Sequence, residues 1–156
     1  MSLPEGFAVR RASTDDLDIL VAHRRAMFVD MEYRDEAALD AMATKCQAWL
    51  LTRMDRGEYL AWLAVAPDQS IAAGTGLWLM DWPPHMIGSG TRGNILNVYT
   101  AVKFRRRGLA RELMKAAMEW CRSNGVDTVV LHASPDGRSL YESMGFTVTN
   151  EMRIRL

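Results

Sequence analysis

The chain has 156 residues, 49% hydrophobic and 24% charged, and its 19 basic and 19 acidic side chains leave a formal net charge of zero. That length suits a single domain, residues 1–156, able to bury a core of its own, and the balanced charge excludes a protein built for bulk binding to nucleic acid. No apolar run approaches the roughly 18 residues of a membrane span, and the first residues carry no signal-peptide pattern. Cys46 and Cys121 sit in apolar helical surroundings without metal-ligand spacing. Buried thiols in a cytoplasmic protein are therefore expected, with no disulfide and no metal site.

Phe7 to Arg11 reads as a short strand, and Ser13 or Thr14 then caps a helix with Asp15 and Asp16 in its first turn. Leu17, Leu20, Val21, Arg24 and Phe28 share one face of that helix. A second helix is predicted from Glu36 to Arg56, ended by Gly57. Around its start lie Asp30, Glu32, Asp35, Glu36 and Asp40, an acidic cluster that reads first as a solvated connection with acid at a helix N-terminus. Tyr59 to Ala66 alternates as a strand and Ile71 to Asp81 is continuous and apolar enough to be central, the two forming an antiparallel hairpin about the turn Pro67-Asp-Gln-Ser70, with Gly74 and Gly76 marking a bulge or close packing. Trp82 to Gly90 is the longest loop, rich in Pro and Gly, and serves either as a lip over a pocket or as a surface excursion.

Thr91 to Tyr99 is a strand that runs into a cationic turn, Lys103-Phe-Arg-Arg-Arg-Gly108, and Gly108 opens an amphipathic helix reaching Asn124-Gly125. Val126 to Leu131 is a buried strand of the kind joined in parallel by a helical crossover. Ser134-Pro-Asp-Gly137 breaks the chain, Arg138 to Met144 forms a short helix, and two further strands are expected at Phe146 to Val148 and Met152 to Leu156. The order predicts one mixed α/β sheet of about seven strands flanked by helices. A strand feeding a helix through an arginine- and glycine-containing turn aims backbone N–H groups and the positive end of the helix dipole at one spot, which favours phosphates. The turn has neither the P-loop nor the dinucleotide glycine pattern, so a nucleotide triphosphatase or dehydrogenase is not expected.

Arg105-Arg-Arg-Gly-Leu-Ala110 resembles the Arg/Gln-x-x-Gly-x-Gly/Ala signature of the GCN5-related N-acetyltransferases, and Leu140-Tyr-Glu-Ser-Met-Gly-Phe146 resembles that family's Leu-Tyr-x-x-x-Gly-Phe segment. The resemblance implies an acetyl-coenzyme A-dependent N-acetyltransferase working by direct attack of a primary amine in a ternary complex. Backbone groups of Arg105, Arg106, Arg107, Gly108, Leu109 and Ala110 would cradle the pyrophosphate, and the edge of Val98, Tyr99 and Thr100 would pair with the pantetheine arm. Ser134 stands where many members have an asparagine touching that arm, and Gly137 where they have alanine. Tyr141 takes the family's proton-donor position. A phenol has a reference pKa of about 10 and the leaving thiol one near 8.5.

The family's general base is not matched. The strand before the turn carries only Asn94 and Asn97 where several members have a carboxylate, which leaves a water relay, or Glu32, Asp81 or His85 from outside the strand. Because the family's first helix pair lines the acceptor side, the acidic cluster would draw in a small cationic amine. Neither cysteine lies near a base, so no covalent intermediate is expected. A non-catalytic acyl-CoA-binding module of the same fold is the alternative reading, and a homodimer is a further expectation from relatives.

Overall fold

The computed structural model describes residues 2–156. The chain begins with β1 (Ala8–Arg11), passes through a turn of 3-10 helix (Thr14–Asp16), and continues as α1 (Leu17–Asp30) and α2 (Glu36–Asp55). The strands β2 (Tyr59–Val65), β3 (Ile71–Asp81) and β4 (Thr91–Thr100) follow, then α3 (Leu109–Ser123), β5 (Thr128–Leu131) and α4 (Arg138–Ser143). Local chemistry sets the entries. Ser13 Oγ accepts from the Asp15 amide, and the Asp16 carboxylate accepts from the Ser13 amide and from Arg10. Asp35 caps α2 by accepting from the Ala38 amide at 3.1 Å.

The five strands lie in the order β1-β2-β3-β4-β5, antiparallel except for the parallel pair β4–β5. That parallel pair is joined by α3, as a right-handed crossover requires a helix between parallel neighbours. Helices α1 and α2 cover one face, burying Leu20, Cys46, Leu50, Tyr59, Ala61 and Leu63 between them and the sheet. Helix α3 covers the other with Leu109, Leu113, Met114, Ala117 and Cys121, against Leu77, Ile95 and Tyr141. The strict apolar stripe of α3 explains why its span is legible at 3.6-residue spacing. Both cysteines are buried as free thiols, and burial pushes both thiols up in pKa, which keeps them protonated and unreactive.

The sheet has five strands among the described residues, two fewer than the seven expected. Phe146 stays close to α4, donating its amide to the Tyr141 carbonyl at 3.1 Å with its ring at the Tyr141 edge. Residues 147–156 are exposed throughout and belong to no strand. Met152 to Leu156 alternate as a strand would, but a strand forms only where a neighbour takes its hydrogen bonds, and 147–156 share no backbone hydrogen bond among the described residues, their tie to the body being Glu151 to His132 at 3.1 Å.

Candidate active site

Strand β4 keeps β3 along its length but loses β5 midway. On one side it pairs with β5 only from Arg92 opposite Thr128 to Ile95 opposite Leu131, although β4 itself runs on to Thr100. From Leu96 to Thr100 the β5-facing edge of β4 therefore has no strand against it among the described residues, because β5 ends at Leu131. On the other side the β3 register slips: Gly76 faces Leu96 and Gly74 faces Tyr99, so Asn97 and Val98 share the place opposite Thr75. Asn97 takes up the extra residue with φ of +56°, a bulge with a left-handed asparagine.

The bulge turns Asn97 toward α1 and α2. Its Nδ2 donates to the Tyr59 hydroxyl at 2.9 Å, and its Oδ1 accepts from Arg24 Nη1 at 2.7 Å. Both ends of the amide are used, which fixes its orientation. Gly76 makes the arrangement possible, because a Cβ there would overlap the Tyr59 hydroxyl. Complete burial raises the Tyr59 pKa, so the phenol stays neutral. His23 lies beside this cluster, 5% exposed, its ring 5.0 Å from that of Tyr99. Its Nδ1 has no hydrogen-bond partner among the described residues, and burial lowers its pKa from 6.5 to about 4. Gly74 leaves room for it: a Cβ there would lie 2.9 Å from His23 Nδ1. Sequence reasoning missed this cluster, since an Asn, a Tyr and a His far apart in the chain have no spacing to recognise.

Beyond Thr100 the chain makes a 3-10 turn (Val102–Phe104), Arg106 takes φ of +61° and Gly108 φ of +77°, and α3 starts at Leu109. No side chain caps α3, and its first internal bond is from the Glu112 amide to the Gly108 carbonyl. The amides from Arg106 to Arg111 meet no acceptor among the described residues. Uncapped amides at the positive end of a 15-residue helix are a setting that suits an anion. Leu109, 1% exposed, anchors the turn in the core. The arginine side chains divide their work. Arg105 reaches back to Asp30 at 2.6 Å and to the Thr100 carbonyl at 2.9 Å, tying the turn to the end of α1. Arg107 lies beside Phe104, 5.7 Å from the ring centre. Arg106 makes no ion pair among the described residues.

Tyr141 projects from α4 into the same side of the sheet, 8% exposed, within the cluster that holds Ile95 and Leu109. Burial raises its pKa. Gly137 sits under its ring, where a Cβ would come within 2.9 Å. Ser134 Oγ accepts from the Gly137 amide at 3.2 Å, which leaves the serine proton available to another acceptor.

The remaining predicted positions are spread more widely. Glu32 follows α1, exposed, with φ of +69°. Asp81 is opposite Thr91, where β4 starts, and His85 in the next loop accepts from the Ile87 amide at 3.1 Å. The 10 residues of β4 from Thr91 to Thr100 span about 30 Å at strand rise. Asp81 and His85 are therefore at the opposite end of β4 from the arginine turn, beside a cavity of about 320 Å³ lined by Trp82, Arg92 and Thr128. The acidic cluster is largely satisfied within the protein: Asp30 pairs with Arg105, Glu36 and Asp40 with Arg25, and Asp35 caps α2. Of those five carboxylates only Glu32 has no such bond among the described residues.

Residues 19–146 match the family model described as the acetyltransferase (GNAT) family. A GCN5-related N-acetyltransferase from Ralstonia eutropha JMP134 is similar over 97% of this chain and 99% of its own, with 36% identity and a TM-score of 0.88. A Clostridium acetobutylicum protein described as a predicted acetyltransferase, solved with acetyl-CoA, superimposes with a TM-score of 0.87 at 22% identity, covering 96% of each chain. An aminoglycoside acetyltransferase from an uncultured soil metagenomic sample has a TM-score of 0.69 at 18% identity, covering 100% of this chain and 99% of its own. At these lower identities the likeness is one of fold. No curated protein sequence matches the chain.

Proposed function

Because the chain belongs to the acetyltransferase (GNAT) family and is on that ground an acyltransferase, we propose that it moves an acetyl group from acetyl-CoA to the primary amine of a small molecule. The observation that carries this reading is the meeting of two unsatisfied backbone edges: the open side of β4 from Leu96 to Thr100 and the uncapped amides from Arg106 to Arg111. An elongated ligand with a hydrogen-bonding arm and a phosphate group fits both.

Acetyl-CoA supplies an activated thioester. Amides from Arg106 to Ala110 hold its pyrophosphate, with Arg106 adding charge and Gly108 permitting close approach. Val98, Tyr99 and Thr100 offer their open edge to the pantetheine arm, and a backbone N–H of that edge polarises the carbonyl oxygen. Ser134 donates its free proton to the arm, and Gly137 keeps the Tyr141 ring in place. Tyr141, held protonated by burial, donates toward the sulfur. Full transfer from a phenol to a thiolate is uphill by reference pKa, so the Tyr141 hydrogen bond stabilises the departing thiolate, and the proton that the amine nitrogen sheds once its bond to the acetyl carbon has formed passes through water to the sulfur, leaving Tyr141 protonated.

Among the described residues the Asn97 side chain is bonded to Arg24 and Tyr59 and to no carboxylate. The Asn97 amide is no base, and His23 aims its bare Nδ1 at Gly74 from a buried position. The attacking amine loses its proton to water, and the pocket selects its neutral form. Glu32 draws the protonated amine to the acceptor side.

The test is thermal unfolding with and without acetyl-CoA, followed by thiol release across a panel of primary amines. Stabilisation by acetyl-CoA that Gly108→Glu abolishes, together with thiol release for at least one amine, supports the reading. A protein stabilised by acetyl-CoA and silent with every amine is a binding module. The absence of any stabilisation at millimolar acetyl-CoA overturns the cofactor site.

A further inference from the structure

Arg24 stands in the middle of α1, on the side that meets the bulge of β4. Its Nη1 donates to Asn97 Oδ1 at 2.7 Å, and its guanidinium lies over the Phe28 ring, 5.2 Å from the centre. Phe28 in turn meets the Tyr33 ring edge to face at 5.4 Å. The neighbouring Arg25 is neutralised by Glu36 and Asp40, and Arg105 by Asp30. Arg24 is half-buried and makes no ion pair among the described residues. Its Nε and Nη2 bond nothing there either, yet the enclosed side-chain atoms without a partner are only His23 Nδ1 and Thr75 Oγ1. The free edge of the guanidinium therefore opens to solvent. A half-buried charge with no counterion, fixed by one hydrogen bond and one ring face, is preorganised for an anion brought from outside.

We propose that Arg24 binds a carboxylate on the acceptor, so that the amine acetylated belongs to a small amino carboxylate. This rests on the acetyl transfer proposed above and names its substrate class. Tyr141 packs on the α3 side of the sheet with Leu109 and Leu113, while Asn97 turns to the α1–α2 side, where Arg24 holds it. The acceptor takes that second side. Paired N–H groups of the free edge grip its carboxylate and set an amine a few bonds away beside the open edge of β4. Charge also sorts the acceptors. A polyamine brings only further positive charge and is turned away, whereas the ammonium end of a zwitterion is met by Glu32. In solution that ammonium is held protonated by its own carboxylate. Once Arg24 takes the carboxylate up, the nitrogen gives its proton to water more readily, which suits a site with no carboxylate bonded to Asn97.

The experiment is thiol release from acetyl-CoA with the common L-amino acids, each matched with its decarboxylated amine and its methyl ester, and with phosphoethanolamine as an amine bearing a phosphate. For at least one amino acid kcat/KM should exceed that of the matched amine by about a hundredfold. Arg24→Gln, which can still donate to Asn97 but carries no charge, should bring that ratio near unity, and Arg24→Lys should keep part of it. Thermal unfolding in saturating CoA reads the same site without turnover: the preferred amino acid should raise the Tm of the unaltered chain and not that of Arg24→Gln. Equal thiol release from plain amines and amino acids leaves the acetyl transfer standing and overturns the role of Arg24. A preference for phosphoethanolamine overturns the carboxylate. An Arg24→Gln loss equal for both members of each pair also overturns the proposal, since that marks a bond that only holds Asn97. So does the absence of any Tm gain from an amino acid, whether or not thiol is released.

Discussion

Acidification should unfold this protein partly through one residue, His23. Its pKa is lowered from 6.5 to about 4 by burial against Tyr99 and Gly74. The folded state therefore refuses a proton that the unfolded chain accepts, and stability is complete above pH 6.5 and lost as pH falls toward 4. At about 1.4 kcal/mol per pKa unit the full loss is about 3 kcal/mol, of which about 2 kcal/mol is gone by pH 5. That is a large share of the 5–15 kcal/mol typical of a domain. Urea unfolding at pH 7.5, 6, 5 and 4.5 measures it, comparing the native chain with His23→Leu. Carboxylates such as Asp16, held low by its bond to Arg10, titrate in both proteins and cancel in the difference. The variant should be less sensitive to pH by about 2 kcal/mol between pH 7.5 and 5. Parallel stability profiles for the two proteins would refute the argument. Because Tyr99 borders the open edge of β4, acetyl-CoA binding should weaken over the same pH range.

Other expected outcomes concern the site more directly. Tyr141→Phe should lower kcat by about a hundredfold while leaving KM for acetyl-CoA nearly unchanged, as read by steady-state thiol release. Asn97→Ala strips partners from the Tyr59 hydroxyl and Arg24 and should cost about 1–3 kcal/mol in urea unfolding. Gly76→Ala drives a methyl into the Tyr59 hydroxyl and should destabilise by at least as much. Arg105→Ala removes a half-exposed pair with Asp30, whose side chains are 42% and 45% exposed. It should change stability by less than about 1 kcal/mol. The same substitution should reduce acetyl-CoA stabilisation less than Gly108→Glu does, because the cradle is made of backbone.

Much of the architecture was legible from pattern alone. The stripe of Leu109, Leu113, Ala117 and Cys121 announces α3, Ser13 marks the turn that leads into α1, and the continuous apolar run of β3 announces a central strand. These signals are local: a helix period, a cap or a turn residue acts within a few positions of itself. The turn into α3 was legible for the same reason, since glycine at the left-handed position of Gly108 is a local signal. What tertiary structure alone decided involves pairs far apart in the chain. The slip that puts Asn97 in a bulge depends on Gly76 admitting the Tyr59 hydroxyl, and the acid cluster lost its apparent charge to Arg25 and Arg105. The strands expected at Phe146 to Val148 and Met152 to Leu156 are absent from the sheet. Periodicity states which side of a segment is apolar, and only a neighbouring edge can supply the hydrogen bonds that make it a strand.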